Sequence, residues 1–147
     1  MGLGWIVDRK PIKGNEKQFL KLQKALDKAL MQNNDDADNI EKEFYKISIS
    51  PSIILEKFNP KEIDTIFSGK CIFFSSVIED ELLKEEAGAQ HNALQSLDYA
   101  NRLEIEISSI NKDNLDEDEL DDYEYIIKGI KWLRFWGRNG HGFTPCY

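Results

Sequence analysis

The sequence predicts a mainly α fold: a helical bundle closed by a long antiparallel C-terminal helix pair, with one small β element as an option. Three observations carry this expectation. Apolar residues recur at three and four residues through most of the chain, capping patterns stand just ahead of several of those runs, and only Lys70 to Ser75 is dominated by β-formers. One domain over residues 1–147 is expected from length, since a single core typically serves about 100 to 200 residues.

Gly4-Trp5-Ile6-Val7 reads as a short extended opening, broken by Pro11 and Gly14. Asn15 is the expected N-cap of the first helix, with Phe19, Leu22, Leu26 and Leu30 as its apolar stripe and Lys17, Lys21, Lys24 and Lys28 on the wet side. Asn33-Asn34-Asp35-Asp36 ends it. Ile40, Phe44 and Ile47 mark a shorter second helix that stops ahead of Pro51, because the residue before a proline is steered away from helical geometry. Ser50-Pro51 and Asn59-Pro60 each place a capping side chain before a proline at the first helical position. Two short helical pieces follow, one through Phe58 and one carrying Ile63, Ile66 and Phe67 to a stop at Gly69.

Cys71-Ile72-Phe73-Phe74 is a strand or a buried helical turn by periodicity alone, and Cys71 in this run reads as a small hydrophobe. Ser76-Val77-Ile78-Glu79 is spaced as a capping box for a helix to about Ala87. Leu94, Leu97, Ala100, Leu103, Ile107 and Ile110 predict one long helix from about Ala89 to Asn111. Asp116 to Glu119 is again spaced as a capping box. After it Leu120, Tyr123, Ile127, Ile130 and Leu133 form a stripe, Lys128, Lys131 and Arg134 suit the negative end of the helix dipole, and Gly137 and Gly140 mark the stop. A loop of about four residues between these last two helices makes them antiparallel.

Composition narrows the function classes. The chain carries 19 basic and 27 acidic residues, a net charge of −8, and a pI near 4.8. No nucleic-acid partner is expected from such a balance, because nucleic-acid binding usually shows as a basic excess. The charge is unevenly spread: residues 1–30 sum to +4, residues 31–127 to −16 and residues 128–147 to +4. All three tryptophans, Trp5, Trp132 and Trp136, lie in the basic ends. The first residues lack a secretory apolar region and no run is long enough to span a bilayer, so a cytoplasmic protein without membrane contact is expected. Ile6 stands where a myristoylation motif wants Ser or Thr. Cys71 and Cys146 are expected as two free thiols.

Catalytic and metal patterns are incomplete. Asp113 to Glu124 holds eight carboxylates in twelve residues, yet the EF-hand register puts Leu115 at a ligand position and supplies no glycine. His91 and His141 belong to no compact ligand motif, the cysteines have no paired spacing, and neither a GxSxG turn nor a P-loop occurs. No cofactor, metal or catalytic residue is therefore assigned. The densest candidate is the ending Trp132-Leu133-Arg134-Phe135-Trp136-Gly137-Arg138-Asn139-Gly140-His141-Gly142-Phe143, where arginines can grip an anion, rings can stack and a histidine can titrate. Together with Trp5, the residues Trp132, Arg134, Trp136, Arg138 and His141 form the candidate ligand-binding set. The competing reading makes the rings core, Gly137 a cap and Arg134 the partner of an acidic residue. Arg134 and His141 also match the loose Arg-x(4–6)-His spacing of HEPN ribonucleases, but three nearby glycines depart from that family's helical presentation.

The opening Met-Gly-Leu-Gly-Trp with Lys10-Pro11-Ile12-Lys13-Gly14, Tyr99-Ala100-Asn101-Arg102-Leu103, and the ending Trp132 to Trp136 before Gly140-His141-Gly142 resemble a group of uncharacterised bacterial proteins. Those open Met-Gly-Leu-Asp-Trp, and this chain has Gly4 in place of the acid. The resemblance implies no activity. It implies that the two aromatic, basic ends belong to one feature. The function expected first is a non-enzymatic protein-binding module, in the manner of small immunity or antitoxin proteins that mask a basic partner. The alternative is a small-molecule anion site or enzyme at the joined termini, and a homodimer using the aromatic end as its interface remains a third option.

Overall fold

The computed structural model describes residues 3–59, 61, 69–74 and 90–146. The helices expected to carry Ile63, Ile66 and Phe67 and to span 76–87 fall on residues 62–68 and 75–89, outside the described residues. The described elements run in the order β1 (Leu3–Val7), β2 (Lys10–Pro11), α1 (Glu16–Met31), α2 (Ala37–Lys46), β3 (Ser48–Ile49), α3 (Ser52–Leu55), β4 (Cys71–Phe74), α4 (Ala93–Ile107), a 3-10 turn (Lys112–Asn114), α5 (Glu117–Arg138) and β5 (Phe143–Cys146). The fold is mainly helical. Its β content exceeds the one small element expected: β4-β1-β5 form an antiparallel sheet and β2-β3 a second, two-stranded one.

β1 is the centre of the larger sheet because its side chains alternate as a half-buried strand requires. Trp5 and Val7 point into the core while Ile6 is exposed. Trp5 stands between Ile72 of β4 and Pro145 of β5 in the register. Cys71 pairs with the outward-facing Ile6 and is exposed, so the expectation of a buried thiol is corrected by the same alternation. Cys71 to Phe74 is a strand, not a helical turn.

α4 and α5 pack as the expected antiparallel pair. A Cβ added at Gly137, near the end of α5, would stand 2.8 Å from the Leu97 side chain and 3.1 Å from the Ala93 carbonyl oxygen at the start of α4. The α4 boundaries are tighter than periodicity suggests. Asn92 caps the helix in a capping box with Gln95, and Leu94 is outside the buried stripe. At the other end the Ser108 and Ser109 hydroxyls bond the Ile105 and Glu106 carbonyls, competing with continued helix, and α4 stops at Ile107 rather than Asn111. The Asp116–Glu119 capping box forms as spaced. α5 then continues through Gly137 to Arg138, and Gly140, at φ 83°, takes the left-handed turn that reverses the chain.

Two apolar clusters result. The main one contains Trp5, Tyr99, Leu103, Ile126, Trp132, Trp136 and Phe143. A smaller one joins Phe19 and Leu26 of α1 to Phe44 of α2. Ala29, not Leu30, continues the buried face of α1. Asn15 stands at the N-cap position without a side-chain cap, and the Gly14 amide instead donates to the Glu16 carboxylate. Asn33 takes φ 50°, which lets the chain leave α1.

Candidate functional site

The N- and C-terminal strands meet in one sheet, so the two basic ends are joined in space. The tryptophans at this junction are packed as core. All three have 0% exposure, and the Trp5 ring centroid is 5.9 Å from Trp132 and 5.4 Å from Phe143. The Trp132 and Trp136 indole N–H groups both donate to the Gly69 carbonyl, at 2.9 and 3.1 Å. These polar handles therefore hold the turn before β4 rather than face a ligand.

The cations of the candidate set point elsewhere. Arg134 reaches from α5 to α4, 2.6 Å from the Glu104 carboxylate and 3.1 Å from the Asn101 amide oxygen. That bond holds the Glu104 carboxyl below the usual carboxylate range. Arg138 is exposed and shares a shallow depression with Lys131, Arg134, Phe135 and Asn139. His141 lies outside that depression and is fully buried. Its Nδ1 is 2.7 Å from the Asp8 carbonyl oxygen, which fixes the tautomer, because a carbonyl can only accept. Burial, opposed by that hydrogen bond, then pushes His141 down to about 4, with the Lys10 and Arg9 charges adding. A neutral, enclosed imidazole separated from Arg134 does not form the paired Arg-His arrangement of a ribonuclease. The structure brings Trp5, Trp132 and Trp136 together, groups Arg134 with Arg138 on the outer face, and places His141 beneath β1.

Two other features stand out. The first is a cleft of about 230 Å³ between α1, the link from β1 to β2, and the start of α4. Asp8, Arg9, Lys10, Gln23, Gln90, His91, Asn92 and Gln95 bring its polar groups, and Pro11, Phe19 and Leu20 its apolar ones. His91 precedes the α4 cap and exchanges both backbone hydrogen bonds with Phe143, each 2.9 Å, while its ring stacks on Phe143 at 4.7 Å. Gly142 makes this approach possible, since any Cβ there would fall on the His91 carbonyl oxygen and 2.9 Å from Asn92 Cα. The Asp8 carboxylate accepts from the Thr144 hydroxyl at 2.8 and 3.0 Å to its two oxygens. Burial pushes Asp8 up to about 6 despite that bond, and the Asp27 charge adds to the rise.

The second feature is the acidic tip of the helix pair. Asp113, Glu117, Asp118, Asp121 and Glu124 are exposed around the start of α5. Among the described residues the ion pairs are Lys46–Glu43, Arg102–Asp98 and Arg134–Glu104, so none reaches the run 113–124. The neighbouring cations face rings instead: Lys112 lies 5.5 Å from the Tyr123 centroid and Lys128 5.7 Å from that of Tyr125. Among the described residues no group of three or more His, Cys, Asp or Glu is placed to hold a metal ion.

Sequence reasoning missed Asp8, Thr144 and Gln90, which meet only through strand pairing and the α4 cap. One signal was present: Asp8 is the sole acid in the first fifteen residues and directly follows the apolar strand. Compared with known protein families, curated proteins and solved structures, the chain matches none.

Proposed function

We propose that the protein is a non-enzymatic binding module that masks a basic protein partner with the tip of its C-terminal helix pair. The observation that carries this reading is the concentration of exposed carboxylates from Asp113 to Glu124, none in an ion pair among the described residues. Asp116 and Glu119 are used internally as the capping box, and the other carboxylates have no side-chain partner among the described residues. A one-sign field of this kind accelerates and selects encounter with an oppositely charged surface. The alternative, an anion site at the joined termini, has weaker support, because Arg134 is committed to Glu104 and His141 is neutral and enclosed.

The test spares the capping pair. A variant carrying Glu117→Gln, Asp118→Asn, Asp121→Asn and Glu124→Gln is compared with the wild type as bait in extract from the cells that produce the chain. A basic protein should be retained by the wild type, released by salt, and bound at least about tenfold more slowly by the variant. Salt-insensitive retention, or equal association with the variant, would overturn the reading.

A further inference from the structure

The outer face of α5 carries its charges in order. Glu117, Asp121, Glu124, Lys128, Lys131, Phe135 and Arg138 follow one another at alternating steps of four and three, the spacing of a coiled-coil seam. All are exposed except Phe135, which is half-buried against Phe58. The opposite face of α5, with Ile126, Ile130, Leu133 and Trp136, is taken up by the core. Three acids therefore lead the seam and three bases close it. Arg134, on the flank, pairs with Glu104. Lys128, Lys131 and Arg138 have no carboxylate partner among the described residues. Each half of the seam is indented, the acidic half between Asp121, Glu124 and Tyr125 and the basic half between Lys131, Phe135 and Arg138, so both offer recesses to the side chains of a facing helix.

We propose that two copies of this chain pair through the outer faces of α5, antiparallel about a two-fold axis level with Ile126. Turning a second copy end for end about that level sets Glu124 opposite the partner's Lys128 and Asp121 opposite the partner's Lys131, and the symmetry makes each contact twice. Tyr125, 48% exposed, lies beside the axis in both copies and gives the seam an apolar centre. Charge selects this arrangement. A parallel pair sets acids on acids and bases on bases. An antiparallel pair slid by one heptad sets Lys128 opposite the partner's Lys131 in one direction and Asp121 opposite the partner's Glu124 in the other, which is repulsive both ways. An unrelated basic helix would satisfy only the acidic half of the seam, whereas a second copy satisfies both. The 22 residues of α5 make a contact about 33 Å long, at the low end of specific interfaces, so the dimer is reversible and sensitive to salt. Pairing covers both acidic tips and therefore competes with the basic partner proposed above, but the inference does not rest on that reading.

The test is the mass of the purified chain by analytical ultracentrifugation, at about 300 μM protein and either about 20 mM or about 0.5 M salt. At low salt it should approach twice the chain mass of 17.0 kDa, and at high salt fall back to one copy. Asp121→Lys and Lys131→Asp each place like charges at both symmetry-related contacts, and each alone should weaken pairing at least about tenfold. The deciding sample is an equal mixture of these two variants. Asp121 and Lys131 are ten residues apart, about 15 Å along one helix, so the two reversals cannot compensate within a chain. Across the two-fold axis they do, and the mixture should regain the wild-type dimer. Should either variant not fold, Glu124→Lys mixed with Lys128→Glu carries the same test. A single copy at low salt, assemblies that grow beyond two copies with concentration, or a mixture that pairs no better than its components would overturn the proposal. The assay contains only this chain, so its failure is separate from failure of the basic-partner reading. Lys131→Asp leaves the acidic tip intact and should still retain that partner.

Discussion

Asp8 and His141 touch through one hydrogen bond and perturb stability in opposite directions over the same pH window. The Asp8 carboxyl moves from its ordinary 3.8 to about 6 in the folded protein, chiefly by burial. A carboxyl raised on folding stabilises while protonated, so its contribution is present below pH 3.8 and is lost as pH rises through about 6. His141 moves from 6.5 down to about 4, again chiefly by burial. Its neutral form stabilises, so that contribution is present above pH 6.5 and is lost as pH falls toward about 4. Each gap corresponds to about 3 kcal/mol in full, of which about 2 kcal/mol falls between about pH 4.5 and 7.5. In the wild type the two nearly cancel. Urea unfolding of Asp8→Asn and wild type across this range isolates one of them, because all other groups drop out of the difference. The asparagine keeps an oxygen for the Thr144 hydroxyl but has no charge to bury. Its stability relative to wild type should rise by about 2 kcal/mol from pH 4.5 to 7.5. His141→Gln should show the reverse slope, gaining on the wild type as pH falls. A flat difference for Asp8→Asn would refute the reasoning, since it would mean that the carboxyl has the same affinity for protons folded and unfolded.

Two further predictions test the junction of the termini. Gly142→Ala puts a methyl on the backbone of His91 and Asn92, which cannot give way as a flexible side chain can. It should cost about 3 kcal/mol or more and part the His91–Phe143 bridge, read as a fall in melting temperature with loss of amide protection at His91. Trp132→Phe and Trp136→Phe each leave the Gly69 carbonyl with the other indole as donor. The double variant leaves that oxygen without either, so its loss of stability should exceed the sum of the singles by about 1 kcal/mol in a double-mutant cycle. Strict additivity would show that the shared carbonyl does not couple them.

Much of the fold is legible locally. The Asp116–Glu119 capping box, the α1 and α2 stripes and the antiparallel final pair depend on residues three or four apart, where sequence spacing is spatial distance. Boundaries shift where a local competitor acts, as with the hydroxyls of Ser108 and Ser109. The candidate site was much less legible. Arg134, Arg138 and His141 are neighbours along the chain, yet the left-handed turn at Gly140 sends the histidine inward while the arginines stay on the outer face of α5. Asp8 and Thr144 are far apart in sequence and share a hydrogen bond because β1 and β5 pair.

By itself the sequence determined the helical class, the order of the helices among the described residues, the acidic tip and the concentration of tryptophan in two basic ends. These follow from composition and short-range periodicity, which the chain carries before it folds. Tertiary structure alone decided that the tryptophans are enclosed core, that Cys71 faces outward, and that the half-buried Asp8 meets Thr144 across the paired termini. Burial and charge pairing are set by which strands and helices meet, and a side chain's chemistry changes with the neighbours that meeting supplies.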